Sequence, residues 1–238
     1  MKDIQSSADS RRIDIRKVGV KTISYPITVL DKANRTQATI ATVNMYVNLP
    51  HRFKGTHMSR FVEILNRFHG EVNLRTFRSI LEEMKRRLDA EAAHLEMDFP
   101  YFLHGENAPK PSAMCRYDCR LHGSLADRFD LRVEVDVPLS LERIDSSPGG
   151  RLAGLWGMVT VAVRMQAFLW IEDLIALVEG AVRSRRLEKE TVESLCLRIS
   201  EVLLAREAFQ WYKVVVKNSA SGYSAFAVSQ WPEQSAEQ

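Results

Sequence analysis

The chain has 238 residues, enough for one large domain or two small ones, and its 45% apolar and 26% charged residues are the balance of an ordinary globular protein. A formal net charge of +3 is a slight surplus and not a basic face, which speaks against nucleic-acid binding and leaves small anions as ligands. Three cysteines make no extracellular disulfide framework, the start MKDIQSSADSRRIDIRKVG has no apolar signal core, and no run reaches the roughly 18 apolar residues of a membrane span, so the expectation is a cytoplasmic protein without a membrane partner.

Residues 1–18 and 232–238 read as loose ends. Residues 20–30 and 37–49 alternate as two strands, and the turn residues DKANR between them make an antiparallel hairpin. Pro50 breaks the second strand, a basic loop follows, and Ser59 is placed to cap a helix to Phe68 with Phe61, Ile64, Leu65 and Phe68 on one face, ended by Gly70. Asn73 caps a second helix that buries Leu74, Phe77, Ile80, Leu81, Met84 and Leu88. From His94 the period shifts to strand, and Pro100 within it argues for an edge or irregular strand.

After the connector APKPSAM the order begins again. Met114–Leu121 and Phe129–Val137 are strands, the second turning Leu131, Val133, Val135 and Val137 one way. A Pro, Gly and Ser-rich loop follows Pro138, then a strand at 158–168, helices at 171–183 and 189–206, and strands at 211–217 and 223–228. Strand, strand, helix, helix, strand, strand, written twice, is an α+β pattern with paired helices on one face of an antiparallel sheet. The expected division is a first module over 19–110 and a second over 111–231.

Chemistry concentrates at the first strand-to-helix junction. Lys54, His57, Ser59 and Arg60 meet the free N–H groups of a helix start, a suitable seat for a phosphate or carboxylate; the plain alternative is a turn with solvated bases. Cys115, Cys119 and His122 have C-x3-C-x2-H spacing, but in a strand the two thiols lie about 13 Å apart by rise, so packed thiols explain them better than a metal does. Trp156, Phe168, Trp170, Trp211 and Tyr212 are expected to pack in the core or between subunits.

The segment KGTHMSRF at 54–61, with GVKTISYPIT at 19–28 and residues 37–42, resembles the GTP cyclohydrolase type IB family. The resemblance spans roughly 19–230, strongest in the first half. It implies tandem tunnelling-fold modules, oligomers with sites at subunit junctions, and the opening of GTP to a dihydroneopterin triphosphate with release of formate through a metal-activated water. The chain departs from the family's metal ligands. Leu141, Glu142 and Arg143 stand where a ligand cysteine is expected, Ala153 where a histidine is, a carboxylate segment is shortened away after Ser184, and KNSASGYSAFA at 217–227 puts Ser221 and Tyr223 near two histidine positions. Thr191, Val192 and Glu193 do match, which places Glu193 as the carboxylate that accepts two N–H groups of a guanine or pterin; a surface glutamate is the alternative.

The resulting expectation is a purine or pterin binder on a cyclohydrolase-like scaffold, without metal-dependent hydrolysis and with no cofactor. Lys54, Ser59, Arg60, Glu193 and Lys217 would hold a ligand, free or phosphorylated, and His57 and Tyr223 would serve any acid or base chemistry. The alternatives are a pterin enzyme with altered metal-free chemistry and a GTP cyclohydrolase with an unusual metal site. Partners would be further copies of the chain or a ligand-complete homologue.

Overall fold

The first hairpin is longer than its alternation suggests. In the computed structural model, which describes residues 15–49, 58–104, 114–139, 156–183, 191–220 and 222–232, strand β1 spans Ile15–Asp31 and β2 spans Arg35–Leu49. They pair antiparallel from Ile15↔Leu49 to Asp31↔Arg35, with register shifts between Ile15 and Val18 and between Val20 and Ile23. Asp31 builds the turn: its carboxylate accepts from the backbone N–H of Ala33 (2.9 Å) and Asn34 (2.6 Å) and from the Gln37 amide (3.3 Å).

Helix α1, Ser59–Arg67, buries Phe61, Ile64 and Leu65, and α2, Leu74–Leu88, buries Phe77, Ile80, Leu81, Met84 and Leu88. These side chains cover the face of β2 that carries Ala41, Val43, Met45 and Val47, all fully buried. Each large apolar side chain so removed from water contributes roughly 1.5–3 kcal/mol before chain entropy is counted. Asn73 caps α2 as expected, accepting from the N–H groups of Arg75 and Thr76, while Thr76 completes a capping box. Leu74 does not join the core and is 39% exposed, because it stands in the first turn before the helix meets the sheet.

Two local expectations need correction. Ser59 is the first helical residue and not the cap: Met58 holds the cap position and makes no side-chain bond there. Helix α1 ends at Arg67, ahead of Gly70, whose positive φ of 75° turns the chain into the two-residue strand β3, Glu71–Val72, parallel to β1.

Strand β4, Ala92–His104, pairs with β2 and is an interior strand, so Pro100 is not at an edge. The β2 ladder runs from Asn48↔Ala92 to Thr42↔Asp98, so Pro100 lies past it and its carbonyl instead accepts from the Thr39 hydroxyl at 2.9 Å.

Strands β5 (Met114–Leu125), β6 (Phe129–Leu139) and β7 (Trp156–Met165) follow, then α3 (Ile171–Arg183), α4 (Val192–Leu204), β8 (Phe209–Ala220) and β9 (Tyr223–Trp231). The strand order is β3-β1-β2-β4-β5-β6-β7-β8-β9, an α+β sheet antiparallel at β1–β2, β2–β4, β7–β8 and β8–β9. The chain divides into two compact units, Met1–Tyr101 with Arg120–Arg132, and Phe102–Cys119 with Val133–Gln238.

In the second unit, α3 and α4 bury Leu174, Ile175, Val178, Leu195, Cys196, Ile199 and Leu203. Trp211 and Tyr212 are buried as expected, whereas Phe168 is 53% exposed and meets Trp170 edge-on at 5.1 Å. No helix among the described residues is long and apolar enough to cross a membrane.

Candidate active site

Three of the expected site residues gather at one end of the second unit. Thr191 caps α4: its hydroxyl accepts from the Ser194 N–H at 3.2 Å, and the Ser194 hydroxyl accepts from the Thr191 N–H at 3.0 Å. Glu193 stands in the first turn, fully in solvent, and hydrogen bonds from the Thr191 side chain and from its own backbone N–H hold its carboxyl below the usual range. It is therefore ionised at neutral pH and free to accept a pair of parallel N–H donors.

Helix α4 is registered on β8. The Cys196 thiol lies 3.8 Å from the Val214 carbonyl, and the Tyr212 hydroxyl donates to the Ser200 carbonyl at 3.1 Å. Four helix residues thus match two strand residues in the opposite sense, and the start of α4 points to the β8–β9 turn. Tyr223 is at that turn, 72% exposed, paired with Ala220 across the hairpin. Lys217, also exposed, pairs with Phe226. Tyr223 and Phe226 are three residues apart, so Lys217 and Tyr223 project to opposite faces of the hairpin.

At the other candidate junction, Lys54 and His57 lie outside the described residues. Ser59 and Arg60 open α1 and are exposed. With no side-chain cap and no acidic residue in the first turn, the amide end of α1 keeps its positive character beside Arg60.

Leu141 to Arg143, Ala153 and Ser221, which the resemblance sets at metal-ligand positions, also lie outside the described residues. Among the described residues no group of three or more His, Cys, Asp or Glu converges to hold an ion. Cys115 and Cys119 share the helix-facing side of β5, where Cys119 is fully buried, while His122 is on the opposite face, so strand alternation keeps the three from sharing a metal. Burial also pushes the Cys196 thiol up, which suits a packed thiol and not a thiolate ligand.

One polar cluster escaped the sequence reading. On the face of the first unit turned away from its helices, the Lys17 ammonium sits 3.5 Å from the centroid of the Tyr46 ring, which stacks on the His94 imidazole at 4.7 Å and 14°. The Tyr46 hydroxyl donates to Glu96 Oε1 (2.9 Å), and the Asn44 amide donates to Glu96 Oε2 (3.0 Å). Burial alone would raise the Glu96 carboxyl, but these two hydrogen bonds, with His122 and Lys17 nearby, hold it below its ordinary range. Burial and then the Lys17 charge press His94 down, with Glu96 opposing, so the imidazole is neutral at pH 7. Burial and the Glu96 bond push the Tyr46 hydroxyl up to about 12. The signal in the sequence was the polar side of two strands, Asn44-x-Tyr46 and His94-x-Glu96, which register Tyr46 opposite His94 and Asn44 opposite Glu96.

Comparison with known proteins bears on the whole chain. A family model described as type I GTP cyclohydrolase folE2 matches residues 1–141. The chain is 45% identical over 253 aligned residues to a GTP cyclohydrolase FolE2 of Syntrophobacter fumaroxidans, covering 95% of this chain and 98% of the relative. It is 42% identical to the GTP cyclohydrolase FolE2 of Syntrophotalea carbinolica, covering 98% and 96%. Among solved structures, the uricase from Arthrobacter globiformis superposes with a TM-score of 0.64 at 8% identity over 93% of this chain and 95% of that one, a likeness of fold alone.

These relatives correct the expected function. A binder without catalysis would be a departure from proteins of nearly equal length that are named as an enzyme, and differences at a few positions do not outweigh 45% identity along the whole chain. The chain belongs to the type I GTP cyclohydrolase folE2 family.

Proposed function

We propose that this protein is a GTP cyclohydrolase, built of tandem tunnelling-fold modules and working in the cytoplasm as an oligomer. The observation that carries the reading is the near full-length identity to proteins named GTP cyclohydrolase FolE2. Glu193 accepts the paired N–H groups of the guanine edge, which fixes the ring. Arg60, at the uncapped start of α1, and Lys54 take the triphosphate. His57 and Tyr223 hold or move protons at the imidazole ring being opened.

Glu193 and Tyr223 stand in solvent at the end of a hairpin, so a second copy of the chain supplies the walls that exclude water. The family's chemistry uses a metal to activate water. Among the described residues no group fits such an ion, so no step is routed through it.

The test is direct. Purified protein is incubated with GTP and manganese or zinc, and formate and pterin are followed by liquid chromatography with mass detection. Formate released in step with dihydroneopterin triphosphate is the expected result. GTP left intact with both metals, and also when the full chain is mixed with a ligand-complete homologue, would overturn the reading.

A further inference from the structure

We propose that Lys17 and His94 form a binding site for a phosphoryl oxyanion of a nucleotide, on the sheet face turned away from the helices of the first unit. The site is separate from the triphosphate contacts proposed above and rests on the proposed function only for the nucleotide that carries the phosphoryl group.

The cluster has its negative charge already satisfied. Both Glu96 oxygens are occupied, Oε1 by the Tyr46 hydroxyl and Oε2 by the Asn44 amide, and His122 on β5 adds a further favourable charge. What remains unspent is donor capacity. The Lys17 ammonium rests on the Tyr46 ring, which fixes its position without consuming its three N–H groups as hydrogen bonds. His94 is held flat against the same ring from β4. A cation would meet Lys17 at this place; an anion would meet a lysine and a neutral imidazole beside it.

The backbone around the cluster is strained in its favour. Thr22 adopts a left-handed φ of 58°, a conformation that costs a β-branched residue about 1–3 kcal/mol. Its N–H is held by Asn44 Oδ1 at 2.9 Å, the same Asn44 whose amide group fixes Glu96. Register shifts flank Lys17 and Thr22, and Gly19 lies against the Met45 carbonyl with no room for a Cβ. Bulges of this kind re-aim side chains beside functional sites. Here they bring Lys17, on an outer strand, over Tyr46.

Binding of an oxyanion should therefore be linked to proton uptake at His94. The groups that face or flank the imidazole are Lys17 from β1, Tyr46 from β2, Glu96 on β4 itself and His122 from β5. Burial opposes protonation first and the Lys17 charge second, while Glu96 favours it; an anion between Lys17 and the imidazole cancels the Lys17 part.

The experiment follows the His94 imidazole resonances of the full-length protein by NMR while pH is varied, alone and with saturating inorganic tripolyphosphate, GTP or guanosine. The expected result is a His94 midpoint raised by at least one pH unit by tripolyphosphate and by GTP and unmoved by guanosine. Lys17→Met should weaken tripolyphosphate at least tenfold, with Lys21→Met, an exposed lysine on the same strand, as the control that does not. Tyr46→Phe, which keeps the ring under Lys17, should retain binding.

An unmoved His94 with every ligand, or Lys17→Met binding as tightly as the unaltered chain, would overturn the site. Guanosine acting as strongly as GTP would overturn it in favour of base stacking, and tripolyphosphate acting without GTP would overturn the nucleotide as its source. Tripolyphosphate binding with no GTP turnover would sink the proposed activity and leave the anion site standing, so the two failures are separate.

Discussion

The two compact units each pack a helix pair against strands yet finish their surfaces differently. In the first, the polar side of the helix pair is closed by its own charges: Glu83 is shared by Arg67 (2.5 Å), Arg86 (2.8 Å) and Arg87 (2.6 Å). Burial would raise the Glu83 carboxyl, but the hydrogen bond and charge of Arg86, with Arg67 and Arg87, hold it below its ordinary range. In the second, α4 leaves Leu197 at 62% and Leu204 at 52% exposure, and β9 leaves Tyr223, Phe226 and Val228 in water. Glu193, Lys217 and Tyr223 belong to this second unit and stand in solvent within one chain.

The largest expected effect breaks the first unit where its strands are closest. A Cβ on Gly19 would run into the Met45 carbonyl and the Tyr46 backbone, neither of which can rotate away. Gly19→Ala should cost about 3 kcal/mol, the upper end for overpacking, seen as an earlier urea midpoint. Hydrogen exchange should show amides of β1 and β2 losing protection while those of β8 and α4 keep theirs. Equal loss in both would show that the two units do not differ in the way their surfaces suggest.

Glu193→Gln probes the open unit. Glutamine keeps one acceptor oxygen but turns an N–H toward the guanine N–H pair, so kcat/KM for GTP should fall about 100-fold. Because Glu193 is fully exposed, the melting temperature should not move. Turnover within twofold of the unaltered chain would remove Glu193 from the site and with it the reason to seek the pocket at the start of α4.

What was legible in the sequence follows the same division. Alternation named β2 and β6, helical spacing named every core residue of α2 and added only Leu74 wrongly, and Asn73 announced its own cap, because each of these signals is local. Pro100 misled because a proline forbids one ladder bond, and the ladder in question had already ended at Asp98. Ser59 misled because its polar side chain suits a cap while the chain enters the helix one residue earlier, at Met58.

The Lys17, Tyr46, His94 and Glu96 cluster was invisible for a different reason. Its members come from three strands, and only the register of those strands makes them neighbours. The functional misreading had yet another source. Ligand positions in loops were weighed above a resemblance carried by the whole chain, and the relatives reverse that weighting.

The smallest effect compares the two hairpin turns. The β8–β9 turn relies on Gly222, with φ of 100°, and has open space around it. The β1–β2 turn relies on a side chain. Asp31 is 4% exposed, and although burial would raise its carboxyl, hydrogen bonds from Asn34, Ala33 and Gln37 hold it below the ordinary value. A carboxyl depressed on folding contributes stability that is present above its unfolded pKa and is lost as pH falls through the folded one.

Asp31→Asn should therefore lower stability by roughly 1–2 kcal/mol at pH 7, where charge-assisted bonds are lost. The gap between the two proteins should close below about pH 4, as the native aspartate takes up its proton. Thermal melts at pH 7 and at pH 3 measure this. A difference that persists undiminished in acid would mean that the turn is held by shape and not by the charge of Asp31, and the contrast with the glycine turn of the second unit would disappear.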